Sequence, residues 1–222
     1  INNFRNLDVS LNGQGAPLVP VGDLHLFKNY KYCVNLGGFA NISIKNNNSI
    51  TAFDICPVNI VLNKICEKLD ILYDNNGSIA KKGKVIPQLL YTLNQIEFYN
   101  KEAPKSLSRE WVEKNIYPLI INYSPADNLR TFCEHIAIQI GSCIKEKETL
   151  FTGGGVFNKF LMNRIEKYAK SKIIIPNKKI INFKEAIIFG FLGVLRYKNE
   201  VNCLKSVTGA SMDNCGGIIH KF

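Results

Sequence analysis

No two cysteines in this sequence are spaced as Cys-x-x-Cys, although seven are present: Cys33, Cys56, Cys66, Cys133, Cys143, Cys203 and Cys215. An odd number without that spacing argues against a zinc framework and against a closed set of disulfides. Several lie among apolar neighbours, where thiols pack as small hydrophobes, and a reducing, cytoplasmic setting is expected. Long apolar runs are lacking too. Stretches 173–175 and 187–195 are short and bounded by charge or glycine, far from the roughly 18 residues a membrane span needs. No membrane partner is expected. The opening Ile1-Asn2-Asn3-Phe4-Arg5 has neither an initiator methionine nor a charged-then-apolar leader, and reads as the cut end of a longer chain.

The familiar loop and catalytic signatures are also missing. There is no Gly-x-x-x-x-Gly-Lys-Ser/Thr loop, no Gly-x-Gly-x-x-Gly, no His-Glu-x-x-His and no nucleophile elbow. The three histidines, His25, His135 and His220, are far apart in sequence, so no metal ligand set and no histidine-activated nucleophile are expected.

What is present is a chain of 222 residues, 46% hydrophobic, able to bury one substantial core or two small ones. Lysine and arginine number 28 against 18 acidic residues, a formal charge of +10. The lysines are scattered through a background rich in Asn and Ile, without arginine–aromatic interleaving. They read as a solvated surface, with no nucleic-acid partner.

Residues 12–20 carry Gly13, Gly15, Pro17 and Pro20 and predict a shaped loop. Strands are expected at 32–35, 40–44 and 50–53, the first two around Gly37-Gly38, the last two around a turn at Asn46-Asn47-Asn48. A helix should follow Pro57, with Ile60, Val61, Ile65 and Leu69 on one face. The spacing then predicts a turn at Asp74–Gly77, a helix over 78–93 interrupted by Pro87, an ordered loop over 101–109 and a long helix from Asp127. A strand 149–152, helix 157–170, strand 172–175 and helix 183–197 complete an α/β pattern, a sheet with helices packed on its faces.

Three segments concentrate the candidate chemistry. In Thr152-Gly153-Gly154-Gly155-Val156-Phe157-Asn158 a strand runs through three glycines into a helix, which lets a ligand approach the backbone near unpaired N–H donors. A tight turn with no ligand has the same pattern. In Asn35-Leu36-Gly37-Gly38-Phe39-Ala40-Asn41 the amides of a glycine hairpin can cradle phosphate oxygens, or simply turn the chain. Asp54 follows the third strand directly, a place for a general base projecting into the ligand cleft, or for a helix-capping carboxylate. Glu185 is expected to open the last long helix, where the dipole favours an acid in any case. Lys105 and Arg109 read either as anion ligands or as parts of a solvated loop.

Taken in order, these segments resemble the anhydro-N-acetylmuramic acid kinase family. Asn12 to Pro20 is similar to its Gly-Gly-Gln-Gly-Ala-Pro-Leu-Val-Pro loop, Asn35 to Asn41 to its Asn-Ile-Gly-Gly-Ile-Ala-Asn hairpin, and Pro104 to Glu110 to its Pro-Lys-Ser-Thr-Gly-Arg-Glu. Gly153 to Asn158, Glu185-Ala186 and Val207-Thr208-Gly209-Ala210 continue the series. The resemblance implies a ribonuclease H-like, actin-like ATPase lobe: a mixed β-sheet with helices on both faces. It assigns 1–30 to the end of an amino-terminal lobe or an interlobe connection, and 31–222 to the carboxy-terminal lobe. It also implies a cytoplasmic kinase that uses ATP and Mg2+ to open and phosphorylate 1,6-anhydro-N-acetylmuramic acid in peptidoglycan recycling, and a homodimer is compatible with it. Asp54 would then be the catalytic base and Glu185 a sugar contact. Gly37, Gly38 and Asn41 would hold the phosphates, and Gly153, Gly154, Gly155 and Asn158 the nucleoside. The chain departs from the family pattern beside Asp54, where Ile55, Cys56 and Val58 replace Thr, Gly and Gly, and it lacks the Gly-Thr-Ser-Leu-Asp-Gly loop of the amino-terminal lobe. Those departures leave open a non-catalytic nucleotide- or sugar-binding module, or a kinase for another amino sugar.

Overall fold

The alternation of apolar and polar side chains along three consecutive strands sets up the sheet. The computed structural model describes residues 1–46, 49–120 and 122–220, so Asn47 and Asn48 of the expected turn lie outside the described residues. Strand β1 is Tyr32–Leu36, β2 is Phe39–Asn46 and β3 is Ser49–Pro57, an antiparallel meander. Tyr32, Val34 and Leu36 of β1 and Ala40 and Ile42 of β2 enter the main core, leaving Asn35, Asn41 and Ser43 on the opposite face. Strands β4 (Lys145–Thr152) and β5 (Lys170–Ile174) extend the sheet on the other side of β1, both parallel to it.

The strand order is β3-β2-β1-β4-β5, with β2 alone running against the others. This is a mixed five-stranded α/β sheet. Helices cover both faces. On one side α3 (Asn59–Glu67), α4 (Pro87–Asn94), α5 (Arg109–Asn115), α6 (Pro125–Cys143) and α7 (Lys159–Tyr168) close the main core. On the other, α1 (Asn6–Ser10), α2 (Val19–Leu26), α8 (Lys178–Tyr197) and α9 (Lys205–Thr208) bring Leu18, Val21, Ile188, Leu192 and Val207 to two smaller clusters. Helix α6 anchors the larger layer. Ser124 caps it by accepting from the Asp127 N–H, and Leu129, Phe132, Ile136 and Ile140 are fully buried along one stripe, each worth roughly 1.5–3 kcal/mol. Among the described residues no helix is long and apolar enough to cross a membrane.

Several boundaries differ from the sequence-based expectation, each for a local reason. Residues 19 and 20 belong to α2 rather than to the loop, because proline is tolerated in a helix's first turn. The helix expected over 78–93 is only a 3-10 turn at Ala80–Lys82 followed by α4, which starts at Pro87, where the missing N–H costs nothing. Leu69 falls beyond the end of α3 and is 39% exposed. Helix α7 begins at Lys159 because the Asn158 side chain caps it, accepting from the Leu161 N–H at 2.9 Å. Helix α8 begins at Lys178, capped by Asn177, five residues before the expected start at 183.

One buried carboxylate ties the ends of the chain together. Asp8 is fully buried, and among the described residues it makes no ion pair. Its oxygens accept from the Gly15 N–H at 2.8 Å, the Cys203 thiol at 3.0 Å, the Thr208 hydroxyl at 2.8 Å and the Asn214 amide at 3.0 Å. Burial works to raise its pKa, and these donors together more than offset it, so the group titrates below the ordinary carboxylate value. A depressed folded pKa stabilises the fold fully above the unfolded value, about 3.9. That contribution is lost as pH falls from there through the folded value. Asp8→Ala should therefore cost about 2 kcal/mol or more at pH 7, since it leaves buried donors unpaired. Urea unfolding from pH 7 to pH 3 checks both effects: the wild type should lose stability more steeply than the variant over the acid end of that range.

Candidate active site

A cavity of about 630 Å³ opens on the polar face of the meander, opposite the main core. Asn35, Asn41, Ser43 and Asp54 line its floor; Gln14, Ala16 and Pro17 form one wall, Pro104, Lys105 and Ser106 another, and Gly153, Lys184 and Glu185 the remainder. Segments from Gln14 to Val207 are thus gathered on the carboxyl-terminal side of the parallel strands, where ligands of such sheets bind.

Asp54 lies within β3, three residues before its end, rather than after it. Its register explains its direction. Asn41 pairs with Asp54 and Ala40 with Cys56, so Ile55 is an extra residue, a β-bulge. Asp54 therefore shares the cavity face with Asn41, while both Ile55 and Cys56 turn into the core. Neither Cys56 nor Val58 adopts a positive φ, and both side chains that replace glycine in the family pattern are fully buried. Because β3 is an edge strand, its outer backbone groups need partners from elsewhere. Asp54 N–H donates to the Lys105 carbonyl at 3.1 Å, and the Leu107 N–H donates to Asp54 Oδ2 at 2.9 Å. Burial pushes the Asp54 carboxyl above its ordinary value, partly countered by the Leu107 N–H. Among the described residues Oδ1 has no hydrogen-bond donor.

Glu185 does not open its helix. It lies two turns inside α8, exposed toward the cavity, so the dipole argument for an acid there does not apply. Its neighbour Lys184 is buried and faces Asp23 of α2, with Nζ 2.7 Å from Oδ1. The Ser43 hydroxyl donates to Asp23 Oδ2 at 2.8 Å. This ion pair links α2, β2 and α8 beneath the cavity. The sequence reading missed Asp23, Ser43, Lys184 and Gln14. A charge set among apolar residues in Val21-Gly22-Asp23-Leu24, or between Phe183 and Ala186, was the available signal, since a helix's inward face tolerates charge only when paired.

A second cavity of about 410 Å³ is lined by Gly154, Gly155 and Asn158 together with Asn59, Leu62, Tyr73, Asp74, Leu129 and Phe157. The glycine run is therefore divided, Gly153 facing the first cavity and its two successors the second. Gly153 has φ +85°, and a Cβ there would meet Asn35 Oδ1 at 2.7 Å, so the turn itself demands glycine. Gly154 and Gly38 differ: a Cβ on Gly154 would meet nothing within 4 Å, and on Gly38 only Ile60 at 3.9 Å. Among the described residues no packing contact requires glycine at these two positions, as expected where room is kept for a ligand. Gly37 and Gly38 line neither cavity, and their carbonyls accept from Val58, Asn59 and Ile60 at the start of α3. Asn158, besides facing the second cavity, spends its Oδ1 on capping α7.

His135 is buried between Asn94 and the Tyr99 hydroxyl, and burial depresses its pKa to about 3, a structural neutral imidazole. Arg109 is exposed at the start of α5. Among the described residues no three His, Cys, Asp or Glu side chains gather as a metal cluster.

The family model for anhydro-N-acetylmuramic acid kinase matches this chain over residues 1–221. The anhydro-N-acetylmuramic acid kinase of Gamma-proteobacterium EBAC31A08 is 33% identical over 213 residues, covering 90% of this chain and 58% of that protein. That of Idiomarina loihiensis is 35% identical over 230 residues, covering 95% and 62%. The chain spans about three fifths of the length of these curated relatives. Among solved structures, component A of the Acidaminococcus fermentans (R)-2-hydroxyglutaryl-CoA dehydratase superposes with a TM-score of 0.46 at 12% identity, covering 77% of this chain and 63% of that one.

The buried pair beneath the cavity gives a direct test of the packing. Lys184→Met leaves Asp23 charged and buried, and should cost about 3–5 kcal/mol. The double variant Asp23→Leu, Lys184→Met should recover most of that loss. Urea denaturation of both, against the wild type, measures the difference.

Proposed function

This chain belongs to the anhydro-N-acetylmuramic acid kinase family, and on that premise we propose that the whole protein is an ATP-dependent kinase that opens and phosphorylates 1,6-anhydro-N-acetylmuramic acid. The observation that carries the reading is the pairing of a carboxylate-bearing cavity with a glycine-edged one on either side of Gly153. The first has the size and polar lining of a sugar site. The second, with an apolar floor of Leu62 and Leu129 and the aromatic rings of Tyr73 and Phe157, suits a nucleoside.

In this reading Asp54 Oδ1 takes a proton from a water molecule, whose oxygen attacks the anomeric carbon. The bond from that carbon to O6 breaks, and O6 accepts the γ-phosphoryl group of ATP as the bond to the β–γ bridging oxygen breaks and ADP leaves. Leu107 fixes Oδ2, so one carboxylate oxygen is left for the water. The raised pKa of Asp54 improves its strength as a base, at the cost of a smaller ionised fraction in acid. Glu185, across the cavity, holds sugar hydroxyls by accepting from them. Asn41 on the floor of the first cavity, with Gly37 and Gly38 outside both cavities in the same hairpin, would face the phosphates, and Gly154, Gly155 and Asn158 of the second cavity, with Gly153 at the junction, would receive the nucleoside end. Mg2+ would neutralise charge on the phosphates. Such an ion keeps most of its waters and asks for one or two protein oxygens, which the exposed Glu185 carboxylate can offer. Positioning and charge neutralisation then supply most of the rate. Residues 31–222 form one lobe in this scheme, with a second lobe of the whole protein closing over the phosphates to exclude water. Cys56 and Val58 are buried with no left-handed backbone at either position, so the departures from the family pattern leave Asp54 on the cavity face, which favours turnover over a silent binding module.

Steady-state kinetics on the whole protein with the anhydro sugar, ATP and Mg2+ tests the assignment. Asp54→Asn should lower kcat by about 10²–10⁴ with little change in sugar KM, whereas Glu185→Gln should act mainly by raising sugar KM. A whole protein that is folded yet turns over other hexosamines and not the anhydro sugar would displace this substrate.

A further inference from the structure

Lys105 reads from sequence as a cation reaching for an anion, yet its ammonium group is turned away from the cavity it lines. Nζ donates to the carbonyls of Phe98 and Tyr99 at 3.2 and 3.3 Å. It also stands 5.0 Å from the Phe98 ring centre and 5.5 Å from that of Phe53, the residue before Asp54. The receiving shelf is rigid. Phe98 packs on Trp111 at 5.3 Å, and the Tyr99 hydroxyl bonds to buried His135, which is held in turn by Asn94 of α4. On the other side of the same loop the main chain contacts Asp54 twice, through the Lys105 carbonyl and the Leu107 N–H.

We propose that Lys105 is a positioning residue for the base: its inward anchor holds residues 105–107 against the edge of β3, so that the Leu107 N–H stays on Asp54 and keeps the carboxylate ionised. The proposal rests on the reading of Asp54 as base. Few other groups compete for this role. The Cys56 thiol on the same strand is pushed well up by burial and is neutral, while Glu185 and the mutually neutralising Asp23–Lys184 pair stand on the other side of the cavity. Burial pulls the Lys105 pKa down as well, as expected for an ammonium removed from water to serve as a strut.

The test is a carbon-detected NMR titration of the Asp54 carboxyl in this chain, assigned by difference from Asp54→Asn. Lys105→Met keeps the stem over Phe53 and Phe98 but deletes the donors. The Asp54 midpoint should rise by about one pH unit, and Leu107 amide exchange should quicken. Lys105→Arg should stay close to wild type. In the whole protein the acid limb of the pH–rate profile should move up by the same amount, with sugar KM near neutrality little changed.

A charge effect through space would fade in 1 M salt, where screening acts within about 3 Å, whereas a positioning effect persists. A folded Met variant with unchanged midpoint and unchanged Leu107 exchange overturns the proposal, as does a shift that disappears in salt. If the Met variant does not fold, Lys105→Gln, which keeps a donor, should show an intermediate shift, and no shift would count against the strut. The titration needs no turnover. A wild type that titrates as described but phosphorylates no sugar faults the kinase reading alone.

Discussion

The period-two alternation of a β-strand is the constraint on which this site depends. Along β1 and β2 it sends Val34, Leu36, Ala40 and Ile42 into the core and leaves Asn35, Asn41 and Ser43 on the other face. Along β3 it holds until Asp54 and is broken once, by Ile55. Without that bulge Cys56 would follow Asp54 onto the cavity side. With it, the carboxylate ends a polar floor while the next two residues seal the core beneath. Chemistry and stability are thereby separated by the thickness of one sheet.

Buried charge is the second recurring theme, and each case joins segments distant in sequence. Asp8 draws the glycine-rich loop and the carboxy-terminal segment to one point, through four hydrogen-bond donors. Asp23 and Lys184 pin α2 to α8 under the cavity. Glu134 of α6 receives a two-point grip from Arg164 of α7 and a hydrogen bond from Tyr168. An unpaired buried charge is costly and a paired one nearly neutral in stability. What these buried groups add is registration between elements, and the glycine-rich loop, α2, α8 and the carboxy-terminal segment so registered all line the cavity.

Much of this was legible in the sequence. The meander, the long amphipathic α6 and the strand–helix alternation after it followed from periodicity, because those segments are strongly patterned on both faces. The resemblance grouped the motifs at Asn35–Asn41, Asp54, Pro104–Glu110 and Gly153–Asn158; the structure brings Asn35, Asn41, Asp54, Lys105 and Gly153 to one cavity and Gly154, Gly155 and Asn158 to a second, a division no motif specified. Boundaries were less visible. Asn158 and Asn177 act as caps through side-chain geometry that composition does not reveal, and Glu185 moved from a helix start to a helix middle for that reason. The inward turn of Lys105 was illegible, since whether a lysine meets solvent or two carbonyls depends on a shelf built by Phe98, Tyr99 and Trp111 in three dimensions.

The origin of the oxygen gained by the sugar tests the proposed chemistry most directly. With the whole protein, ATP, Mg2+ and the anhydro sugar in ¹⁸O-water, attack of an Asp54-activated water at the anomeric carbon should place the label there and leave the transferred phosphoryl group unlabelled. Label in phosphate, with none at the anomeric carbon of early product, would contradict water activation at this carboxylate.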